Sequence, residues 1–294
     1  MTAWPALESN EAVRETIHRW TQIVGKIRMS LTPLVNHYWN VPLYVTPRGL
    51  TTSGIAYGDR SFDIEFDFLS HVLRICVSDG NTREIPLASR SVADMYAEIF
   101  STLKALGIET SIRTKPDEIE NPIPLDRDEE HHSYDRGYAE RLRDILDRSA
   151  AVFTEFRSDF IGKCSPVHFF WGSFDLAVTR FSGRLAPPRP DADSITREAY
   201  SHEVSSVGFW PGGSRLPAAT FYSYAAPEPA GYREAVIAPD AAYYNETLGG
   251  FYLHLDELRK ADKPEQTLLA FCRTTYEAAA TLGKWDRAAL ERRS

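Results

Sequence analysis

Cysteine is scarce in this chain. Among 294 residues there are three, Cys76, Cys164 and Cys272, odd in number and far apart, which excludes a disulfide framework and a CxxC metal knuckle. Long apolar runs are absent as well: nowhere do about 18 uninterrupted apolar residues occur, so no membrane-spanning helix is expected. Met1 to Glu15 lacks the basic segment and apolar run of a targeting leader, and a cytoplasmic location is the expectation that follows. Lysine and arginine form no block, and the net charge is −8, so the composition supports neither a nucleic-acid nor a membrane partner. The spacings of ready-made catalytic motifs are missing too. There is no HExxH and no GxSxG, and the Gly-Lys pairs at 25–26 and 162–163 lack the glycine spacing of a phosphate-binding loop. Cys164, beside Ser165, is a thiol nucleophile only on paper: no base stands near it in sequence, and a small buried side chain is the simpler reading.

What is present is an ordinary globular composition, 43% hydrophobic and 12% aromatic, enough for one large core or two smaller ones. Val13, Ile17, Trp20, Val24, Ile27 and Leu31 recur at helical steps, so residues 11 to 31 read as an amphipathic helix ending before Pro33. "VPLYVT" and "LTTSGI" read as short strands, and 61–68 with 71–78 as an antiparallel hairpin in which Phe62, Ile64, Phe66 and Phe68 alternate with Asp63, Glu65 and Asp67. Ser91 caps a second helix carrying Val92, Met95, Tyr96, Ile99 and Leu103, with Asp94 at the capping-box position and Gly107 past its end. Residues 115–135, acidic and proline-containing, form a connection between residues 1–114 and 136–294. The second part repeats the plan: a helix from 136 to 160, a proline-rich loop at 185–193, strands at "SHEVSSVGFW", "ATFYSYAA" and "GFYLHL", and a helix from 264 to 282 opened by Pro264. The expected fold class is α+β, two similar helix/antiparallel-sheet/helix halves, with an internal duplication as one explanation of the repeated order.

Several segments carry a resemblance. "HRWTQIVGKIR", "NHYW", "PLYVTPRGLTT", "SPVHFFWGSFDLAVTRFSGR", "EAYSHEVSSVGFWPG" and the late "WDR" resemble a family of uncharacterised bacterial proteins known only as a domain of unknown function. The resemblance runs over nearly the whole chain. It implies no activity, so chemistry has to be argued from the side chains.

The longest of these segments is the most informative. Gly172-Ser173 reads as a two-residue hairpin turn, pairing Trp171 with Phe174 and Phe170 with Asp175. One face then carries Val167, Phe169, Trp171, Phe174, Leu176 and Val178 and belongs on the core. The other carries His168, Phe170, Asp175, Ala177 and Thr179, with His168 opposite Ala177 and diagonal to Asp175. The aromatics of "HEVSSVGFW" and "FYSYAA" can line a concave, mainly apolar pocket on that second face. The plainer alternative has Phe170 covered by a helix and His168 bonded to a neighbour.

His168, Asp175, His202 and His37 form the best candidate metal set, for zinc or non-haem iron, although His202 and Glu203, adjacent on a strand, point to opposite faces. Asp126, His131, His132 and Asp135 in the connection are a second set, weakened because Asp135 is placed to cap the following helix. Lys26, Arg28, Arg48, Lys163, Arg180 and Arg184 sit in apolar or glycine-containing surroundings and need partners. Asp63, Glu65, Asp67 and Glu203 can supply them; otherwise Arg48, Lys163, Arg180 and Arg184, with Phe170, engage an anionic substrate. His18, Gln22 and Lys26 make a polar line on the first helix, facing solvent or a pocket. Ser201 and Ser205 beside His202 lack the elbow a serine hydrolase needs. The expectation is an enzyme acting on a small anionic or aromatic molecule, with His168, Asp175 and His202 as acid/base groups or ligands. The alternative is a non-catalytic small-molecule-binding protein, and a scaffold comes third.

Overall fold

The computed structural model describes residues 3–214 and 216–292. Helix α1 (Glu11–Leu31) begins at Asn10, whose side chain accepts from the Val13 N–H at 3.3 Å, a cap typically worth about 1 kcal/mol. It stops at Thr32, before Pro33, as the periodicity predicts. Its apolar stripe of Ile17, Trp20, Val24 and Ile27 is buried, and so is its polar line of His18, Gln22 and Lys26. A helix buried on every side is an interior helix, and its polar groups need internal partners. They have them: Lys26 pairs with the Asp117 carboxylate, Gln22 exchanges two 2.8 Å hydrogen bonds with the Asp117 backbone, and His18 Nε2 lies 2.9 Å from the Gly172 carbonyl. The polar line is buried rather than solvated. It stitches α1 to the 115–135 connection and to a hairpin turn.

The first sheet contains β1 (Tyr44–Thr46), β2 (Gly49–Thr51), β3 (Ile55–Tyr57), β4 (Arg60–Asp67), β5 (Val72–Val77) and β6 (Thr82–Pro86). Its order is β1-β2-β4-β5-β6, with β3 also on β4, and every pairing is antiparallel. Helix α2 (Val92–Ala105) follows, with Ser91 accepting from the Asp94 N–H at 3.0 Å. The 115–135 connection has no regular secondary structure, yet Leu125 and Asp128 within it are fully buried. Asp128 forms an ion pair with Arg19 at 3.1 Å, His131 Nδ1 lies 2.8 Å from its carboxylate, and Tyr134 stacks on Trp20.

Helix α3 (Arg136–Ser158) is capped by Asp135, and the second sheet follows: β7 (His168–Phe170), β8 (Asp175–Leu185), β9 (His202–Trp210), β10 (Thr220–Ala226), β11 (Tyr243–Tyr244) and β12 (Phe251–His254). Its order is β11-β12-β10-β9-β8-β7. Helix α4 (Ser194–Ala199) precedes β9, and α5 (Leu255–Arg259), α6 (Pro264–Leu282) and α7 (Arg287–Leu290) close the chain. The described residues thus form an α+β fold of seven α-helices and two six-stranded antiparallel sheets, with unlike strand orders in the two sheets. The halves share one hydrophobic core running from Trp4 to Trp285. The sheets also meet edge to edge, where Leu43 and Phe169 exchange backbone hydrogen bonds of 2.9 and 2.8 Å. No helix among the described residues is long and apolar enough to cross a membrane.

Candidate functional site

The edge strand at this seam carries the histidine singled out above. His168 pairs with Ala177 and Phe170 with Asp175, the register that the sequence pattern predicts. The turn differs. Residues 171–174 form a four-residue turn in which Phe174, not Gly172, takes the left-handed conformation (φ 59°). A two-residue turn would have kept Trp171 and Phe174 as a ladder pair. The longer turn carries both rings onto α1, Trp171 against Gly25 and Phe174 stacked on His18 at 4.9 Å, while Trp171 Nε1 donates to the Val41 carbonyl beyond the helix at 2.8 Å.

Four strands then build a face. His168, Ala177, Gly208 and Tyr222 lie in one cross-strand row, with two small residues at its middle. Because Gly208 has no side chain, the Tyr222 ring lies across it and donates its hydroxyl to Asp175, whose other oxygen accepts from Ser173. Burial pushes the Asp175 carboxyl above its usual range, and these two hydroxyls pull it partly back. Tyr222 stacks on Tyr224, whose hydroxyl is 2.8 Å from that of Tyr200; Thr179 and Ser206 pair alongside at 2.9 Å. Burial, reinforced by neighbouring acidic hydroxyls and Asp175, holds the Tyr222 and Tyr224 phenols firmly neutral.

His168 is fully buried in an aromatic box, with ring centroids at 5.4 Å from Tyr44, 5.6 Å from Phe170 and 6.1 Å from Trp39, all edge-on. Neither ring nitrogen has a hydrogen-bond partner among the described residues. Burial pushes its pKa down to about 3, and the charges of Arg28 and Arg157 act in the same direction. The imidazole is neutral at pH 7, with one donor and one acceptor vacant. Leaving such groups buried and unmatched costs about 1–3 kcal/mol each.

The four side chains read as zinc or iron ligands do not converge. His37 faces the Glu198 carbonyl through Nδ1 (2.9 Å) and Lys163 Nζ through Nε2 (2.6 Å), Asp175 uses both oxygens, and His202 Nδ1 is 3.1 Å from Ser201 Oγ. The His37 and His202 rings do approach, at 5.6 Å, beside the Phe181–Val204–Ala226 cluster. Among the described residues no three His, Cys, Asp or Glu side chains are grouped to hold a metal. In the connection, His131 turns to Asp128 and Asp135 caps α3.

The arginines expected to meet a substrate are engaged elsewhere. Arg180 lies on the helix-covered face, 3.5 Å from the Phe156 ring and 4.2 Å from that of Tyr276, donating to the Phe156 carbonyl. Arg184 holds Glu203 at 2.6 Å at the sheet's end, and Arg48 holds Asp67 at 2.6 Å in the first sheet. Lys163 borders the site through Trp39, 5.4 Å from its ring, and Phe170 is a wall of the box. Burial raises the Cys164 thiol to about 11, which keeps it protonated, and Ser205 is buried on the face opposite His168. Tyr222 and Tyr224 were legible as same-face neighbours from "FYSYAA". Trp39 and Tyr44 were not, since only the Leu43–Phe169 seam brings them to His168.

The chain belongs to a family of unknown function, DUF5996, whose model it matches over residues 4–292. No curated protein and no solved structure matches it.

Proposed function

We propose that this member of the DUF5996 family is a small-molecule-binding protein whose ligand presents an aromatic ring to Trp39, Tyr44 and Phe170 and a hydrogen-bonding group to His168. The observation that carries this reading is the fully buried imidazole with both nitrogens unmatched inside an aromatic box. A ligand that filled those vacancies would recover a cost that the fold otherwise bears without return. The hydroxyl row of Tyr222, Tyr224 and Tyr200 offers further neutral donors and acceptors on the same sheet face. A cytoplasmic setting suits the three cysteines, all free thiols.

Binding is favoured over catalysis at His168 because a base whose pKa lies near 3 accepts protons poorly at neutral pH. An enzyme acting on the same ligand is the second reading, favoured by Asp175, a carboxyl that burial raises and that the Tyr222 and Ser173 hydroxyls hold in a fixed orientation on the same sheet face.

The test is a titration of the full chain with phenol and indole, followed by melting temperature and by the histidine ring ¹⁵N resonances. At least one compound is expected to raise the melting temperature and shift His168, and His168→Phe is expected to fold, melt higher and lose the response. A His168 resonance indifferent to both compounds, or a His168→Phe protein that binds equally well, would overturn the reading.

A further inference from the structure

Arg28, in the last turn of α1, is 7% exposed and has no carboxylate within ion-pair distance among the described residues. Its Nη1 donates to the Thr52 carbonyl, the Tyr44 phenol is its other polar neighbour, and its Nε is buried without a partner. Every other buried cation of α1 is matched: Arg14 and Arg19 by Glu15, Lys26 by Asp117. A guanidinium out of water with no counter-charge is expensive to keep.

The same tyrosine joins it to the histidine. The Arg28 guanidinium lies 5.5 Å from the Tyr44 ring centroid, and the His168 ring lies 5.4 Å from that centroid. Two nine-tenths-buried groups with unmatched N–H positions therefore flank one aromatic wall. We propose that Arg28 and His168 together hold a carboxylate borne by the ligand, so that the ligand class is a small aromatic carboxylic acid. This rests on the aromatic-ring reading of the same box.

A carboxylate fits better than a phosphate. It brings one negative charge to one unmatched arginine, and a guanidinium presents N–H donors in the plane that a carboxylate accepts. The uncharged imidazole adds an N–H without a second positive charge. All three walls of the box, Trp39, Tyr44 and Phe170, are half-buried, and among the described residues Trp39 is held by ring contacts with His37 and Phe181 and by Lys163, with no hydrogen bond from its indole N–H.

The test compares benzoate with benzamide, its uncharged near-isostere, by calorimetry on the full chain at pH 7 while the His168 ¹⁵N resonances are followed. Benzoate is expected to bind at least about tenfold more tightly and to shift His168. Arg28→Met is expected to abolish that preference. If Arg28→Met does not fold, the wild-type ratio and the His168 shift still decide, with Arg28→Lys, which keeps charge but loses the planar fork, expected to retain only part of the preference. Equal affinity for the two compounds overturns the carboxylate assignment and leaves the aromatic-ring reading standing. Benzoate preference with His168 unshifted places the anion elsewhere and also overturns it. Binding of neither compound removes both.

Discussion

Trp171 lies flat against the backbone of Gly25, so close that a Cβ at position 25 would fall within its indole ring. On an exposed helical face, glycine to alanine gains up to about 1 kcal/mol. Here the ring cannot withdraw, because Nε1 donates to the Val41 carbonyl at 2.8 Å and Lys26 Nζ lies 5.4 Å from the ring centroid. Gly25→Ala is therefore expected to destabilise by about 1–3 kcal/mol through overpacking. Trp171→Ala should cost about 3–5 kcal/mol, and the double variant less than the sum, because the emptied groove accepts the new methyl. Urea unfolding of the four proteins measures the coupling. A stabilising Gly25→Ala would show that the hairpin turn is not seated on α1.

Gly208 plays the matching part on the sheet face. A Cβ there would meet the Tyr222 ring and stand 2.6 Å from the Leu176 carbonyl, which is backbone and cannot yield. Gly208→Ala is expected to lift Tyr222 away from Asp175 and cost about 1–3 kcal/mol. Most of that cost should persist in a Tyr222→Phe background if the Leu176 clash dominates, and should vanish there if the lost hydrogen bond does. In either case phenol or indole affinity should fall by several-fold, because the row beneath the proposed ligand is disturbed. Unchanged affinity and unchanged stability together would place Tyr222 elsewhere.

Much of this arrangement was readable from local pattern, for physical reasons. The long helices announced themselves through period and caps, as Ser91 and Asp135 show, and the β7–β8 register followed from centring the hairpin on Gly172-Ser173, which put one apolar face on the core. Polar positions misled because their partners are distant in sequence. Gln22 finds its partner 95 residues away, and Arg180 finds aromatic rings on α3 and α6 rather than a substrate. A turn can also be overruled by what its side chains do: Gly172-Ser173 favours a tight hairpin, yet burying Trp171 and Phe174 on α1 wins. The walls of the His168 box come from residues 39, 44 and 170, which no periodicity connects.

The same burial predicts how stability depends on pH. An unfolded histidine titrates near 6.5, whereas in the folded chain burial lowers His168 to about 3 and His18 to about 4, the latter against the opposing pull of Glu15 and the Gly172 carbonyl. Below pH 6.5 the unfolded chain therefore binds protons that the native chain refuses, and stability falls as pH falls. The loss approaches about 1.4 kcal/mol per pH unit for each histidine, ending near pH 4 for His18 and near pH 3 for His168. Asp67, held near 2 by Arg48, Arg74 and two backbone N–H groups despite its burial, adds a loss in the same direction only below about pH 4. Asp175, raised by burial, works in the opposite sense at the acid end. Urea unfolding at pH 7.5, 6.0 and 5.0 should thus show a steep decline in the wild type and a shallower one in His168→Phe, in which His18 and His37, both lowered by burial, remain. Equal slopes in the two proteins would mean that His168 takes up its proton in the folded state as readily as in the unfolded chain.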